Sequence, residues 1–418
     1  MLNLPRSRQL AHHSISDYKD DGTNVLLDAN ENAYNPFPSG SNAGSSASAL
    51  STDDGKIGLD VLGLNRYPDP HQRDLKQLLC DLRNTNAHTP KQLTPDHLFV
   101  GVGSDEAIDA LLRCFCVPGK DRILTCPPTY GMYAVSAQVN DVSIVKVPLL
   151  PAPEFQIDVP AVLDTLSTEK DIKIAYLCSP GNPTGSLLDK ADVLRVLNHP
   201  TWNGVVVLDE AYIDFAQDDA SLASLVTEFP NLVVMQTLSK AFGMAGIRLG
   251  AAFTSPPIAT LLNSLKAPYN ISSPTSTLAS HAVGPQGLAS MRSSRAKLLE
   301  QRDRLLKELP LIPGVGRLRG GMQSNFLLYE MLGPSGEPDN VTALAVYEKL
   351  AETQGVVVRF RGKEHGCQGC LRITVGQETE VTRLLESIKR VLAEARGTAV
   401  PDAKLEEKKE QEANRVLA

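Results

Sequence analysis

The sequence predicts an α/β protein: a large domain with a mostly parallel sheet flanked by helices, followed by a smaller α+β domain. Three observations predict it. Apolar, β-branched runs of 4–7 residues bounded by polar residues, Gly or Pro recur at 172–178, 205–208 and 232–235, as strands buried on both faces do. Helical patterns alternate with these runs, which is the signature of a sheet covered by helices. After about residue 290 the alternation gives way to one long charged helix pattern and then strand-like pieces. A chain of 418 residues buries such a core without help from disulfides or metal.

In chain order, residues 1–24 form an N-terminal arm. It carries Arg6 and Arg8 but no apolar stretch, and Asp17, Asp20 and Asp21 follow early, so neither a signal peptide nor a transit peptide is expected. Residues 25–58 join the small domain and contain a Ser/Gly/Ala-rich run at 38–58, a flexible insertion with little to bury. The large domain is assigned to 59–290. Within it Gly101-Val102-Gly103-Ser104-Asp105 reads as a strand-to-helix turn opening a helix over Ser104–Cys116, with Ser104 as N-cap. Ile108, Leu111, Leu112 and Phe115 fall on one face of that helix. The strands Ile172–Cys178, Val205–Leu208 and Leu232–Met235 follow. The small domain, 291–395, opens with a helix over Ala289–Leu309 and continues with strands at Ser324–Tyr329, Val356–Phe360 and Leu371–Val375. A charged tail occupies 396–418.

Composition excludes several classes. With 41 basic against 48 acidic residues the net charge is −7, and a nucleic-acid binder would carry a basic face instead. The longest uncharged stretches, 123–140 and 267–291, are broken by Pro, Gly, Ser and Thr, so no membrane span is expected. Seven cysteines read as free thiols of a reducing compartment, and the cytoplasm is expected. Cys367 and Cys370 form a C-x-x-C near His365, but without a second ligand pair no metal site is expected.

Ligands of an open parallel sheet bind beyond the carboxyl ends of its strands. After 172–178 comes SPGNPTG with Asn182; after 205–208, DEAY with Asp209 and Tyr212; after 232–235, QTLSKAFGMAGIRLG with Lys240 and Arg248. This set matches the needs of pyridoxal 5′-phosphate. Lys240 can form the Schiff base and then serve as general base and acid. Asp209 against the pyridinium nitrogen would make the ring an electron sink. Asn182 and Tyr212 can donate to the phenolate oxygen. Thr237, Ser239 and Arg248 suit the phosphate, and the turn before Asp105 offers backbone N–H groups to the same anion. Tyr130 could stack on the ring. Each residue alone has a plainer reading: a surface lysine, a core tyrosine, a helix start at Asp209-Glu210, a turn at SPGNPTG. Their joint occurrence at successive strand ends favours the cofactor.

The segments LLDANENAYNP (26–36), LNRYPDP (64–70), GVGSDEAID (101–109), SPGNPTG (179–185), LDEAY (208–212), TLSKAFGMAGIRLG (237–250) and GCLRITVG (369–376) resemble those of the fold-type I, aspartate-aminotransferase-like pyridoxal-phosphate enzymes. Within these the chain most resembles the histidinol-phosphate aminotransferase family, over about residues 20–395. The resemblance implies Lys240 as the cofactor lysine, with Asp209, Tyr212, Asn182 and Tyr130 on the ring. Ser104, Asp105 (through its backbone), Thr237, Ser239 and Arg248 are implied at the phosphate. It implies that Tyr67 reaches a neighbouring subunit's phosphate, hence a homodimer with shared sites. Arg359 and Arg372 would grip substrate anions, and Asn32 lies in the segment lining the substrate pocket. The chain departs from the family pattern at Ala33, where Pro is frequent, and in the length of the 38–58 insertion. The implied reaction converts L-histidinol phosphate and 2-oxoglutarate to imidazole acetol phosphate and L-glutamate. An aromatic aminotransferase or phosphothreonine decarboxylase of the same fold is the alternative, and a non-catalytic binding module is disfavoured by the intact lysine set.

Overall fold

The computed structural model describes residues 24–34 and 64–397. The arm before residue 24, the 38–58 insertion and the tail after 397 lie outside the described residues. The strands are β1 (Val25–Leu26), β2 (Leu98–Val102), β3 (Arg122–Thr125), β4 (Ser143–Lys146), β5 (Ile172–Cys178), β6 (Val205–Asp209), β7 (Leu232–Thr237), β8 (Leu249–Thr254), β9 (Val315–Leu318), β10 (Phe326–Met331), β11 (Val356–Val357), β12 (Arg359–Phe360) and β13 (Cys370–Thr374). The helices are α1 (Arg73–Arg83), α2 (Gly103–Phe115), α3 (Met132–Val139), α4 (Val159–Thr168), α5 (Lys190–Leu197), α6 (Pro256–Leu265), α7 (Ser273–Val283), α8 (Pro285–Glu308), α9 (Asn340–Gln354) and α10 (Glu378–Ala395).

Seven strands form the large sheet in the order β2-β8-β7-β6-β5-β3-β4. Only β8 runs antiparallel to its neighbours β2 and β7; the remaining pairs are parallel. Its central strands read as unbroken apolar runs because both faces are covered. Val205 and Val207 of β6 join one buried cluster, with Ile108, Leu111 and Leu112 of α2 and Leu262 of α6. Val206 and Leu208 point the other way into the larger cluster, as the period-2 geometry of a strand requires. Phe115, on the predicted apolar face of α2, is only partly buried at the edge of its cluster.

Four strands, β12-β13-β10-β9, form a second, antiparallel sheet, and β1 pairs in parallel with β11. The predicted strand 356–360 is thus two short strands, β11 and β12, pairing with different partners. Helices α9 and α10 pack on each other, α9 also on β10, β12 and β13. The larger cluster runs without a break from beneath β6 and β7 to Phe326, Ile373 and Leu392. Helix α8 begins at Pro285, ahead of the predicted start at 289, so position 291 lies inside this helix. The pairing of β1 with β11 draws the following segment, Asp28–Glu31, over the carboxyl ends of the large sheet, where it lines the cavity described next.

Candidate active site

Strands β5, β6 and β7 end nearly level, with Cys178 opposite Asp209 and Asp209 opposite Met235. The residues that follow them surround a cavity of about 590 Å³. It brings together Ser104, Asp105, Tyr130, Asn182, Asp209 and Tyr212 with Thr237, Ser239, Lys240, Arg248, Arg359 and Arg372. Twelve residues drawn from segments far apart in sequence thus line one cavity.

Asp209, the last residue of β6, is 2 % exposed. Its Oδ2 accepts a 2.6 Å hydrogen bond from the Tyr133 hydroxyl, and its Oδ1 accepts from the Ala211 N–H at 3.1 Å. Burial pushes its pKa up to about 6, against the pull of these two donors. Tyr133 is fully buried, stacked on Tyr176 with centroids 4.6 Å apart, and its other neighbour Tyr130 meets it edge-on. The Tyr130 hydroxyl donates to Asp105 at 3.3 Å. The Tyr212 hydroxyl accepts from Asn30 Nδ2 at 2.9 Å, leaving its own proton free to be donated toward the cavity. Lys240 Nζ donates to the Ala29 carbonyl at 2.9 Å. Burial, reinforced by the positive charge of Arg372, pulls the Lys240 pKa down to about 8, so the nucleophilic free amine is accessible near neutrality.

At the start of α2 the sheet and helix approach unusually closely. A Cβ on Gly250 would lie 2.4 Å from the Gly103 carbonyl carbon, and Gly103 itself has φ +71°. The bridge between Gly103 and Leu249 fixes this approach. The helix therefore begins at Gly103 with Val102 as its N-cap, and no side chain caps it. Ser104 is not the cap, contrary to the sequence expectation; its side chain lines the cavity instead. Arg248 Nη2 stands 3.4 Å from Asp105 Oδ2. The Thr237 Oγ1 lies 2.9 Å from the Ser239 Oγ. A helix N-terminus, two hydroxyls and a guanidinium at one corner make an anion site.

At the opposite wall, Arg372 on β13 is 3 % exposed. Its Nη1 donates to Asn182 Oδ1 at 2.6 Å, its Nη2 to the Asp28 carbonyl, and its Nε has no hydrogen-bond partner. Burial, with Arg361 and Arg359 nearby, pushes its pKa down to about 9. Arg359 sits directly across the strand pair from Arg372. Two expected residues stand apart from the cavity wall. Tyr67 is 81 % exposed and stacks on Tyr269 at 4.6 Å. Asn32 donates to the Ala241 carbonyl and accepts from the Tyr34 N–H, both at 2.9 Å, so its amide braces the segment beside Lys240. Sequence reasoning missed Tyr133, Asn30 and Arg361. Arg361 had a readable signal, its position two residues after Arg359 at the end of a strand; a lone Tyr in a helix and a lone Asn in a loop carry none.

The residues fit pyridoxal 5′-phosphate. The observation that tests this is Asp209: a buried carboxylate at the cavity base, hydrogen-bonded by two neutral donors, is matched to a cationic ring N–H. The amine of Lys240, the free Tyr212 proton and the anion corner meet the group's remaining functions. Fold and site define the class of pyridoxal-phosphate-dependent aminotransferase.

Comparison with known proteins agrees. The model of the aminotransferase class I and II family matches residues 23–388. The histidinol-phosphate aminotransferase of Schizosaccharomyces pombe is 52% identical over 90% of this chain and 93% of its own length. That of Saccharomyces cerevisiae is 46% identical, with 90% and 93% covered. Among solved structures, a histidinol-phosphate aminotransferase from Sinorhizobium meliloti in complex with pyridoxal-5′-phosphate superposes with a TM-score of 0.72 at 22% identity, covering 89% of this chain and 91% of that one. A tetra mutant of the Thermus thermophilus aspartate aminotransferase gives 0.66 at 22% identity, with 78% of this chain and 88% of that one covered. The chain belongs to the class I and II aminotransferases and, within them, to the histidinol-phosphate aminotransferase family.

Proposed function

We propose that this protein transfers the amino group of L-histidinol phosphate to 2-oxoglutarate, giving imidazole acetol phosphate and L-glutamate, as a step of L-histidine biosynthesis. The observation that carries the reading is the meeting of Lys240, Asp209 and Arg372 in one cavity, in a chain about half identical to histidinol-phosphate aminotransferases over nearly its whole length. Pyridoxal 5′-phosphate, when bound, supplies the electron sink and carries the amino group between the two substrates.

The protein's own groups do the rest. Asp209 keeps the ring nitrogen protonated, and Asn182 and Tyr212 hold the phenolate oxygen through donated hydrogen bonds. Tyr130 packs on the ring. The α2 start at Ser104 and Asp105, with Thr237, Ser239 and Arg248, anchors the phosphate, joined by Tyr67 from the second subunit of a homodimer. Lys240 Nζ removes the proton from the substrate Cα and would hand it to the cofactor carbon that bears the amino nitrogen, the reverse shift serving the second substrate, a shuttle its lowered pKa favours. Arg359 and Arg372 bind, in turn, the substrate phosphate and a dicarboxylate, because guanidinium forks suit both anions. Asn32 supports the pocket segment. We further assign the enzyme to the cytoplasm: all seven cysteines are free, as in a reducing compartment, and among the described residues no helix is long and apolar enough to cross a membrane.

The visible absorption spectrum tests this. Purified protein loaded with cofactor is expected to be yellow, to bleach on adding L-histidinol phosphate alone, and to recover with 2-oxoglutarate. Lys240→Ala is expected to lose turnover by several orders of magnitude. Wild-type protein that bleaches with phenylalanine but not with histidinol phosphate would move the assignment to an aromatic aminotransferase; release of CO₂ from threonine phosphate would move it to the decarboxylase.

A further inference from the structure

The strand pair β12–β13 carries more positive charge toward the cavity than two arginines. Arg359 pairs across the strands with Arg372, and the Arg361 N–H continues the ladder by donating to the Cys370 carbonyl at 2.9 Å. Arg361, one residue past the end of β12, lines the cavity together with Arg359 and Arg372. After burial, Arg361 is the largest influence on Arg372, ahead of Arg359.

Arg361 is also held in place. Its Nη1 donates to Glu364 Oε1 at 2.7 Å, one reverse turn further on, where the Glu364 N–H bonds back to the Arg361 carbonyl at 3.0 Å. The pair is about three-quarters buried, with side chains 23% and 27% exposed. Three buried polar atoms here have no hydrogen-bond partner: Arg361 Nε, Arg372 Nε and Glu364 Oε2. Buried polar groups are normally satisfied. Two unpaired guanidinium N–H donors, one just past β12 and one on β13, at the wall of a cavity, mark a place for acceptor oxygens.

The two half-reactions present different anions to this wall. A phosphate monoester concentrates a charge of about −1.5 to −2 at neutral pH and three acceptor oxygens in one group; glutamate divides its two charges between two separate carboxylates, each with one charge and two oxygens. The cross-strand pair Arg359–Arg372 can satisfy a carboxylate. A third guanidinium matters when the second charge and third oxygen arrive, and Glu364 offsets it when they do not.

We propose that Arg361, anchored by Glu364, is a specificity-determining residue that selects the phosphate-bearing amino donor over the dicarboxylic one. The inference deepens the proposed reaction and rests on it. Substrate thus finds three guanidiniums for its phosphate, while glutamate uses two.

The test is the half-reaction of each amino donor, followed by bleaching of the holoenzyme, in Arg361→Gln and Arg361→Lys. Losing one charge-assisted contact is expected to lower kcat/KM for L-histidinol phosphate about ten- to a hundredfold. The loss with L-glutamate, and with L-histidinol lacking its phosphate, is expected to be at least about tenfold smaller. Inorganic phosphate should weaken as a competitive inhibitor in step with the first loss, and Arg361→Lys should restore part of it. Equal losses for all three donors, or no loss with histidinol phosphate, would overturn the specificity role while leaving the reaction intact. Wild-type protein that does not react with histidinol phosphate at all would overturn the reaction itself, and this inference with it.

Discussion

Tyr133 holds Asp209 from behind. The carboxylate is paired on one side by that hydroxyl at 2.6 Å and faces the cavity on the other. The hydrogen bond favours the ionised acid, opposing the burial that lifts its pKa to about 6. Removing the donor in Tyr133→Phe lifts that pKa further, so the ionised form proposed to face the cofactor nitrogen is lost at higher pH. Asp209 is charged above its pKa and neutral below it. Cofactor affinity is therefore expected to fall off on acidification at a higher pH in the variant, and by about tenfold at neutrality. Equilibrium cofactor titration across pH 5–8 measures both, and identical profiles for variant and wild type would remove Tyr133 from this role. The sequence made Asp209 and Lys240 readable because each comes just after a buried apolar run, Asp209 immediately and Lys240 three residues past the end of β7. Tyr133 was unreadable because its contact spans 76 residues, and nothing local distinguishes it from a core tyrosine.

At the scale of elements, the strand ends are level because a buried polar network ties them. Glu210, 1 % exposed, accepts from the Leu222 N–H at 2.7 Å, Ser221 Oγ at 2.6 Å and Gln236 Nε2 at 2.7 Å. Gln236 on β7 in turn accepts from Arg83 of α1 at 2.8 Å, and Arg83 is paired with Asp214 at 2.9 Å. Burial raises the Glu210 pKa to about 7. Glu210→Leu would leave the buried Leu222 N–H and the half-buried Ser221 hydroxyl without their acceptor, while Gln236 Nε2 keeps Ser221 Oγ at 3.0 Å, at about 1–3 kcal/mol for each lost partner before relaxation. A loss of several degrees in Tm is expected, with cofactor binding weakened because Asp209 and Thr237 flank the network; thermal unfolding of the cofactor-free and loaded forms checks both. An unchanged Tm would show that the network carries no stability. The central strands were legible from hydrophobicity alone, β5 to the residue. The start of α2 was not, because a close backbone approach between Gly103 and Gly250 sets it, and Ser104 supplies only a composition cue. The break between β11 and β12 was likewise hidden, since a run of apolar residues does not announce a change of partner.

Over the whole molecule, the proposed substrate wall comes from the small sheet and the proposed cofactor base from the large one, joined by a continuous core. That the two meet was legible only through resemblance, because no local pattern links Arg372 to Asn182 across 190 residues. The same holds for Tyr67. It is 81 % exposed on this chain and rests on Tyr269, an arrangement that fits an aromatic extended toward a second copy. If each site of the proposed homodimer uses one chain's Lys240 and the other's Tyr67, two defective variants can repair each other. Lys240→Ala lacks the reacting amine in both its sites. Tyr67→Ala lacks a phosphate contact in both, and at limiting cofactor is expected to fall about tenfold. After subunit exchange at equal concentrations, about half the dimers are mixed. In each of these one site has both residues intact and the other has neither. Intact sites then amount to about a quarter of the total, so activity at limiting cofactor is expected to rise toward about a quarter of wild type. Sites built within single chains would instead give the mean of the two parents, about a twentieth, because no exchange could bring Lys240 and Tyr67 together.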